Sequence, residues 1–211
     1  MDIGFDLQGF IITMGVLILA ITIHEFAHAI TADRLGDPTP RNQGRISLFP
    51  IDHLDPIGTL MMAITSLTGI GIGWGKPVMT NPSNFRNPRR DSAIVAVAGP
   101  VSNILQAIVF ALIFRALGGF ESGNSIVELL QTGVFVNLSL AFFNLIPIAP
   151  LDGHWIMTAI LPYQQAIAYR NWMLMYGPFV LLALVFLGRP VLSAILGPPV
   201  TTVASILMRG I

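Results

Sequence analysis

The chain contains no cysteine. Disulfides, a thiolate nucleophile and a cysteine-ligated metal are therefore excluded. Charge is nearly as scarce: Asp, Glu, Lys and Arg are 10% of the 211 residues, against roughly 25% in an ordinary soluble domain. That is too little to cover a surface that faces water on all sides, so a soluble globular protein is excluded. A disordered chain needs the opposite composition, low hydrophobicity with high charge. Nor is there a basic surplus to draw nucleic acid, because 11 basic residues balance 11 acidic ones. What abounds is apolar: hydrophobic residues are 54% and mean hydropathy is +0.73. With 20 Gly and 15 Pro the chain is not a coiled coil. An integral membrane protein remains.

The ionisable residues fall in clumps separated by uncharged runs. Gly9–Ile23, Ser92–Phe114, Val127–Leu151 (with Glu128 near its start), Trp172–Gly188 and Val191–Met208 are each long enough to cross a hydrocarbon core of roughly 30 Å. Pro198-Pro199 is expected to break the last of them. Ile57–Gly75 is also uncharged but carries five glycines, which favours a segment that dips in and returns over a stable spanning helix. The expected fold is all-α and polytopic. It has about five transmembrane helices, a glycine-rich re-entrant segment at 57–75, and short strands in the 40–56 and 76–90 loops. One domain over 1–211 is expected, with a catalytic core at about 9–160 and C-terminal helices at about 171–208. No Lys or Arg precedes the first apolar run, which argues against a cleaved secretory signal.

Three ionisable residues stand inside the first run: His24, Glu25 and His28, in the pattern His-Glu-x-x-His. On a helix, residues four apart share one face, so both imidazoles point the same way one turn apart, as two ligands of one Zn²⁺ require. Glu25 lies about 100° round the helix, within reach of a metal-bound water. At this composition the pattern is expected by chance about 0.001 times per chain. A pair of satisfied polar residues facing a bundle interior is the bland alternative, but intramembrane charges are costly and mark function. A catalytic zinc takes three protein ligands and leaves one position for water. The third ligand must come from elsewhere, and the candidates are His53, Asp152 and His154. Asp152 follows Pro147 and Pro150, which would unwind a helix. Unwound backbone is tolerated at membrane depth where it lines a cavity. The bland reading of Asp152 is an N-cap for the helix that follows it.

Two further segments join the first. Asn144-Leu-Ile-Pro-Ile-Ala-Pro-Leu-Asp152-Gly153 and Ala98-Gly99-Pro100-Val101-Ser102-Asn103 follow the His-Glu-x-x-His helix in order. Together the three resemble the site-2 protease family of intramembrane zinc metalloproteases, in its short prokaryotic branch without a PDZ domain. The resemblance runs from about residue 15 to 160 and includes Gly73–Asp91 and Arg45–Gly58. Phe49-Pro50 stands where the family usually has Asn-Pro, and His154 where a small or basic residue is usual. The resemblance implies a zinc metalloendopeptidase that holds one Zn²⁺ through His24, His28 and Asp152, with Glu25 as the catalytic base. It also implies that the amides Asn103 and Asn144 hold substrate backbone or help to stabilise an oxyanion. Their bland reading is interhelical glue. His53 reads as an accessory ligand or gate, or as a loop histidine bonded to a neighbouring carboxylate. His154 reads as a second layer around the metal or as structural.

Ligands must meet at one depth. His24 is 15 residues into the first run, about 22 Å along it, so the zinc lies near the far face. Asp152 reaches that face only if an even number of crossings separates it from His28, which makes Ile57–Gly75 re-entrant. The positive-inside rule agrees. With the N-terminus outside, nine basic residues lie in the cytoplasm and only Arg115 and Arg189 outside. The site then opens toward the cytoplasm of a bacterial or archaeal membrane. The implied partners are a transmembrane protein or peptide substrate and membrane lipid, with a second copy or a regulatory membrane subunit left open. A metal transporter, or a scaffold of the same fold that does not cleave, is the competing reading.

Overall fold

The computed structural model describes residues 6–68, 73–121 and 125–209. Eight helices carry them: α1 (Leu7–Arg34), α2 (Thr39–Asn42), α3 (Pro56–Thr68), α4 (Pro88–Ala116), α5 (Ser125–Asn144), α6 (Gly153–Ile160), α7 (Tyr163–Phe186) and α8 (Arg189–Arg209). The long helices start at local signals. Asp6 caps α1 by accepting from the Gly9 N–H, and Asn87 caps α4 by accepting from the Arg90 N–H. Pro88 then fills the first turn of α4, where its missing N–H costs nothing. Asp91 reaches back to the Asn87 N–H at 2.9 Å, which closes a reciprocal cap.

Four helices, α1, α4, α5 and α8, are long and apolar enough to cross a membrane, and the chain is an integral membrane protein. Helix α7 covers the expected Trp172–Gly188 run as far as Phe186, but it begins with the polar stretch Tyr163–Asn171 and is not among the four. The last run is not broken, since Pro198 and Pro199 lie inside α8. Helix α4 packs against both α1 and α5, and α8 closes on α4 and α5. Small side chains at this junction (Ala107, Ala111, Ala204) let the helices approach around Phe114, Val134 and Leu138. Large apolar side chains such as Leu105, Leu112, Leu174 and Phe179 face outward, as a surface bathed in lipid demands.

The expected strands are not present among the described residues. The 40–56 and 76–90 loops instead hold α2 and single 3₁₀ turns at Pro50–Asp52 and Pro82–Asn84. Their one ladder element is an isolated antiparallel bridge between Leu54 and Gly75. The reason is in the sequence: Pro40, Pro50, Pro56, Pro77, Pro82 and Pro88 each remove a donor, so pairing cannot propagate. Helix α3 has 13 residues, about 20 Å of rise, short of the roughly 30 Å core. Residues 69–72 of the glycine-rich segment lie outside the described residues. Its two flanks meet, because beside the Leu54–Gly75 bridge the Lys76 N–H donates to the His53 carbonyl at 2.8 Å.

Candidate metal centre

Helix α1 delivers His24 and His28 to one face, with their Nε2 atoms 3.0 Å apart. Each ring is fixed by its other nitrogen. His24 Nδ1 lies 2.7 Å from Asn103 Oδ1, and His28 Nδ1 lies 2.7 Å from the Val95 carbonyl. Both oxygens can only accept, so each Nδ1 carries a proton and, in the neutral ring, each Nε2 presents a lone pair. The amide of Asn103 is oriented in turn. Its Nδ2 donates to Asn137 Oδ1 at 3.0 Å and to the Ala20 carbonyl at 3.3 Å, which leaves Oδ1 for the imidazole.

Helix α4 supplies this orienting layer because it can come unusually close. A Cβ on Gly99 would stand 2.4 Å from His28 Nε2 and 2.6 Å from His24 Nε2. Only glycine fits between the helix and the two rings. Val95, Gly99 and Asn103 are four residues apart along α4, so the carbonyl, the gap and the amide fall on one stripe facing α1.

The third group arrives on the unwound stretch between α5 and α6. Asp152 stands at the N-cap position of α6, yet its side chain makes no capping bond. The carboxylate turns to the histidines instead: Oδ2 is 3.3 Å from His24 Nε2 and Oδ1 is 3.3 Å from His28 Nε2. Gly153 allows this turn, since a Cβ there would meet the Leu145 and Ile146 carbonyls at 2.3 and 2.5 Å. The potential ligand atoms of His24, His28 and Asp152 all lie within 4.8 Å of one another. With both imidazoles neutral, two lone pairs and a carboxylate face one another, an arrangement that a cation satisfies. His₂-carboxylate is a donor set that zinc takes in catalytic sites.

Glu25 lines the same cavity, of about 480 Å³, together with Asn144, Trp74, Leu140 and Phe143. Its Oε2 accepts the Val78 backbone N–H at 3.0 Å and lies 3.9 Å from Arg45 Nη2. Arg45 is buried and ties the roof of the cavity together. Its guanidinium donates to the carbonyls of Lys76 and Pro77 and reaches His53 Nδ1 at 3.4 Å. Burial lowers the Arg45 pKa, while the charges of Glu25 and Asp52 oppose the shift. On the far side Asp37 anchors the 81–84 turn to the end of α1. It accepts from Asn84 Nδ2, from the Asn81 N–H and from Thr39.

The structure thus brings His24, Glu25, His28, Asp152 and Asn144 to one cavity. Asn103 sits behind His24, fully buried. Asn144 donates its Nδ2 to the Leu140 carbonyl one turn back in its own helix. His53 is apart from the three candidate ligands. Its Nε2 is bonded to the Ser47 carbonyl at 2.7 Å and its partner is Arg45, not a neighbouring carboxylate. His154 points away, stacked on Tyr169 at 5.4 Å between ring centroids. Four participants were not anticipated: the Val78 N–H, the Val95 carbonyl, Arg45 and Asn137. The first two are backbone groups that any residue type supplies. Asn137 had a readable signal, an amide inside an uncharged helical run.

Comparison with known proteins points to one family. The model of the family described as Peptidase family M50 matches residues 119–186, which include Asp152. "Putative zinc metalloprotease YwhC" of Bacillus subtilis is 38% identical over 152 residues, covering 69% of this chain and 67% of that protein. A protein of Mycolicibacterium smegmatis with the same designation, Rip2, is 29% identical over 150 residues, 69% of this chain and 55% of its own length. MJ0611 of Methanocaldococcus jannaschii, again so designated, is 35% identical over 63 residues, 30% of this chain and 31% of its own. The chain therefore spans about two thirds of the Bacillus relative and little more than half of the mycobacterial one. No solved structure gives a significant match.

Proposed function

This chain belongs to peptidase family M50, and from that premise we propose that it is an intramembrane zinc endopeptidase that hydrolyses peptide bonds in transmembrane segments of other proteins. The observation that carries the reading is the His24–His28–Asp152 cluster. Three acceptors converge with both imidazole tautomers fixed for ligation, and a fourth ionisable group, Glu25, stands in the same apolar-walled cavity. One zinc per chain fits that donor set, held by the two Nε2 atoms and the Asp152 carboxylate. When bound it supplies Lewis-acid chemistry, acidifying a water and polarising a carbonyl.

The chain's own residues do the rest. Glu25 is the general base. Its Oε2 is engaged by the Val78 N–H, which leaves Oε1 to take a proton from the attacking water and return it to the leaving amine. Asn103 and Asn137 hold His24 in its ligating tautomer. This places Asn103 as a positioning residue and leaves Asn144, which lines the cavity, as the amide able to meet substrate. Leu140, Phe143 and Trp74 keep bulk water from the reacting bond. A helical substrate must unwind before its carbonyl is exposed, and the backbone of Met79 and Thr80, next to the Val78 that holds Glu25, offers groups for it to pair with.

The short α3 and the joined flanks of 57–75 support a re-entrant segment, which sets the cluster near one face of the membrane. The surplus of basic residues puts that face in the cytoplasm. A bacterial or archaeal cytoplasmic membrane suits the sources of the relatives. Metal transit is the weaker reading, because the described residues contain no second group of three candidate ligands to continue a path.

The test is zinc content and cleavage of a model transmembrane peptide by purified protein in detergent. Wild type and Glu25→Gln should each hold about one zinc, with cleavage reduced by about 10²–10⁴ in the variant. Asp152→Ala should lose both zinc and cleavage. Full zinc occupancy in a folded Asp152→Ala would remove Asp152 from the ligand set, and equal cleavage by Glu25→Gln would remove the base.

A further inference from the structure

A second, smaller cavity of about 210 Å³ opens between the first turn of α4, helix α6 and the start of α7. Its cations are Arg89 and Arg170. The arginine ion pairs of the described residues are Arg41–Asp33, Arg45–Glu25 and Arg90–Asp91, and neither Arg89 nor Arg170 enters one. Arg89 uses Nε on the Thr158 carbonyl and Nη2 on the Leu161 carbonyl, at the C-terminal end of α6. A guanidinium has five N–H donors in a fixed fork, so this cap leaves Nη1 unused. Arg170 lies over the Trp155 ring at 5.9 Å. Ser92 lines the same cavity; it is buried, and its hydroxyl has no partner. A buried hydroxyl without a partner is rare in folded proteins and asks for a ligand or a water.

The surroundings decide what kind of ligand. The cavity lies at the end of α4 where the charged stretch Arg86–Asp91 gives way to the apolar run from Ser92, the level of a membrane–water boundary. Trp155 and Tyr163 line it, side chains that favour this boundary. At its rim, the lining residues Tyr163 and Ile167 and the nearby Ile160 form an exposed ridge at 68%, 44% and 72% accessibility. Cations and an orphan hydroxyl beside an exposed apolar ridge match an amphiphile with an anionic head. The volume, about seven waters at roughly 30 Å³ each, admits a phosphate with its glycerol stub and excludes another helix.

We propose that this cavity binds the phosphate head of an anionic membrane lipid, with Arg89 and Arg170 as its cations, Ser92 as a donor and the Ile160–Ile167 ridge along its acyl chain. Ser92 and Trp155 also line the cavity of the metal centre. The lipid head therefore sits against the outer side of that wall.

Native mass spectrometry of the intact protein in detergent tests this. It is offered equimolar phosphatidylglycerol and phosphatidylcholine, and the lipids that remain bound are counted. Wild type should retain phosphatidylglycerol selectively. Arg170→Gln should cut that retention about fivefold, the worth of one interfacial cation. Arg115→Gln, which removes an exposed charge from the other end of α4, should not change it. Arg170→Gln touches no backbone cap, and an unchanged melting temperature would show that it is folded. Equal retention of the two lipids, an equal loss in Arg115→Gln, or full displacement of the lipid by millimolar inorganic phosphate would each overturn the proposal. The last would assign the cavity to free phosphate instead. None of these readouts depends on zinc or on proteolysis.

Discussion

Asn103→Leu tests the proposed layer that orients His24 for metal binding. The substitution keeps volume close and removes one acceptor and two donor contacts: the 2.7 Å bond to His24 Nδ1, the 3.0 Å bond to Asn137 Oδ1 and the 3.3 Å bond to the Ala20 carbonyl. His24 is buried, so its Nδ1–H finds no water in exchange, and the tautomer that aims Nε2 at the metal is no longer selected. Loss of such an orienting partner costs about 10–100-fold in metal affinity, or about 1.4–2.8 kcal/mol. Orphaning the buried Asn137 acceptor adds about 1–3 kcal/mol of lost stability. The assay is a chelator competition at buffered free zinc, with a thermal melt of the same sample. Asn103→Asp is the discriminating companion. It keeps an acceptor for His24 but faces the Asn137 oxygen with another oxygen, so it should hold zinc near the wild-type level while melting earlier. If folded Asn103→Leu binds zinc within twofold of wild type, the orienting role is wrong.

Gly99→Ala should abolish zinc binding although it adds a single methyl, because that carbon would stand 2.4 Å from His28 Nε2. A melt separates this local effect from unfolding, and a variant that binds zinc normally would show that α4 can retreat. Acid should loosen the 76–88 loop before it reaches the helices. Burial opposes ionisation of Asp37, but hydrogen bonds from Thr39, Asn84 and Asn81 outweigh it and hold the carboxyl below its ordinary value of 3.8. The stabilisation is thus fully present above that value and is lost as pH falls through the lower folded pKa. Protease nicking of the loop should rise only below about pH 4. In Asp37→Asn nicking should be high already at neutral pH and independent of acid. The same acid dependence in both proteins would remove Asp37 as the cause.

Much of the site was legible because its chemistry needs rare residues at fixed spacing. Two histidines and a glutamate within one apolar helix admit few readings, and helix geometry alone sets both imidazoles on one face. Asp152 was less determined. A carboxylate before a helix is ordinarily a cap, and only tertiary contact with α1 shows its side chain turned from that duty. Asn103 could be located from its place in an apolar run, but its bond to His24 Nδ1 depends on how α4 packs against α1, which the run alone does not show. The strands failed for a readable reason that the pattern of turns concealed: too many prolines for a ladder to extend. Arg45 and Asn137 act across long sequence separations, through partners that no periodicity reveals.

The clasp at Leu54–Gly75 has a mechanical meaning. The 76–78 stretch that meets Glu25 is moored at its start by the Lys76–His53 bond and along its side by Arg45. The chain between residues 55 and 74 starts and ends at that mooring, and its helix α3 packs on α1. The entropy of such a loop grows slowly with its length, by about 0.6 kcal/mol per doubling. Residues can be gained or lost within it without shifting the backbone N–H that holds the carboxylate. Under the proposed re-entrant reading, length changes in that segment would leave Glu25 and the Val78 N–H in register.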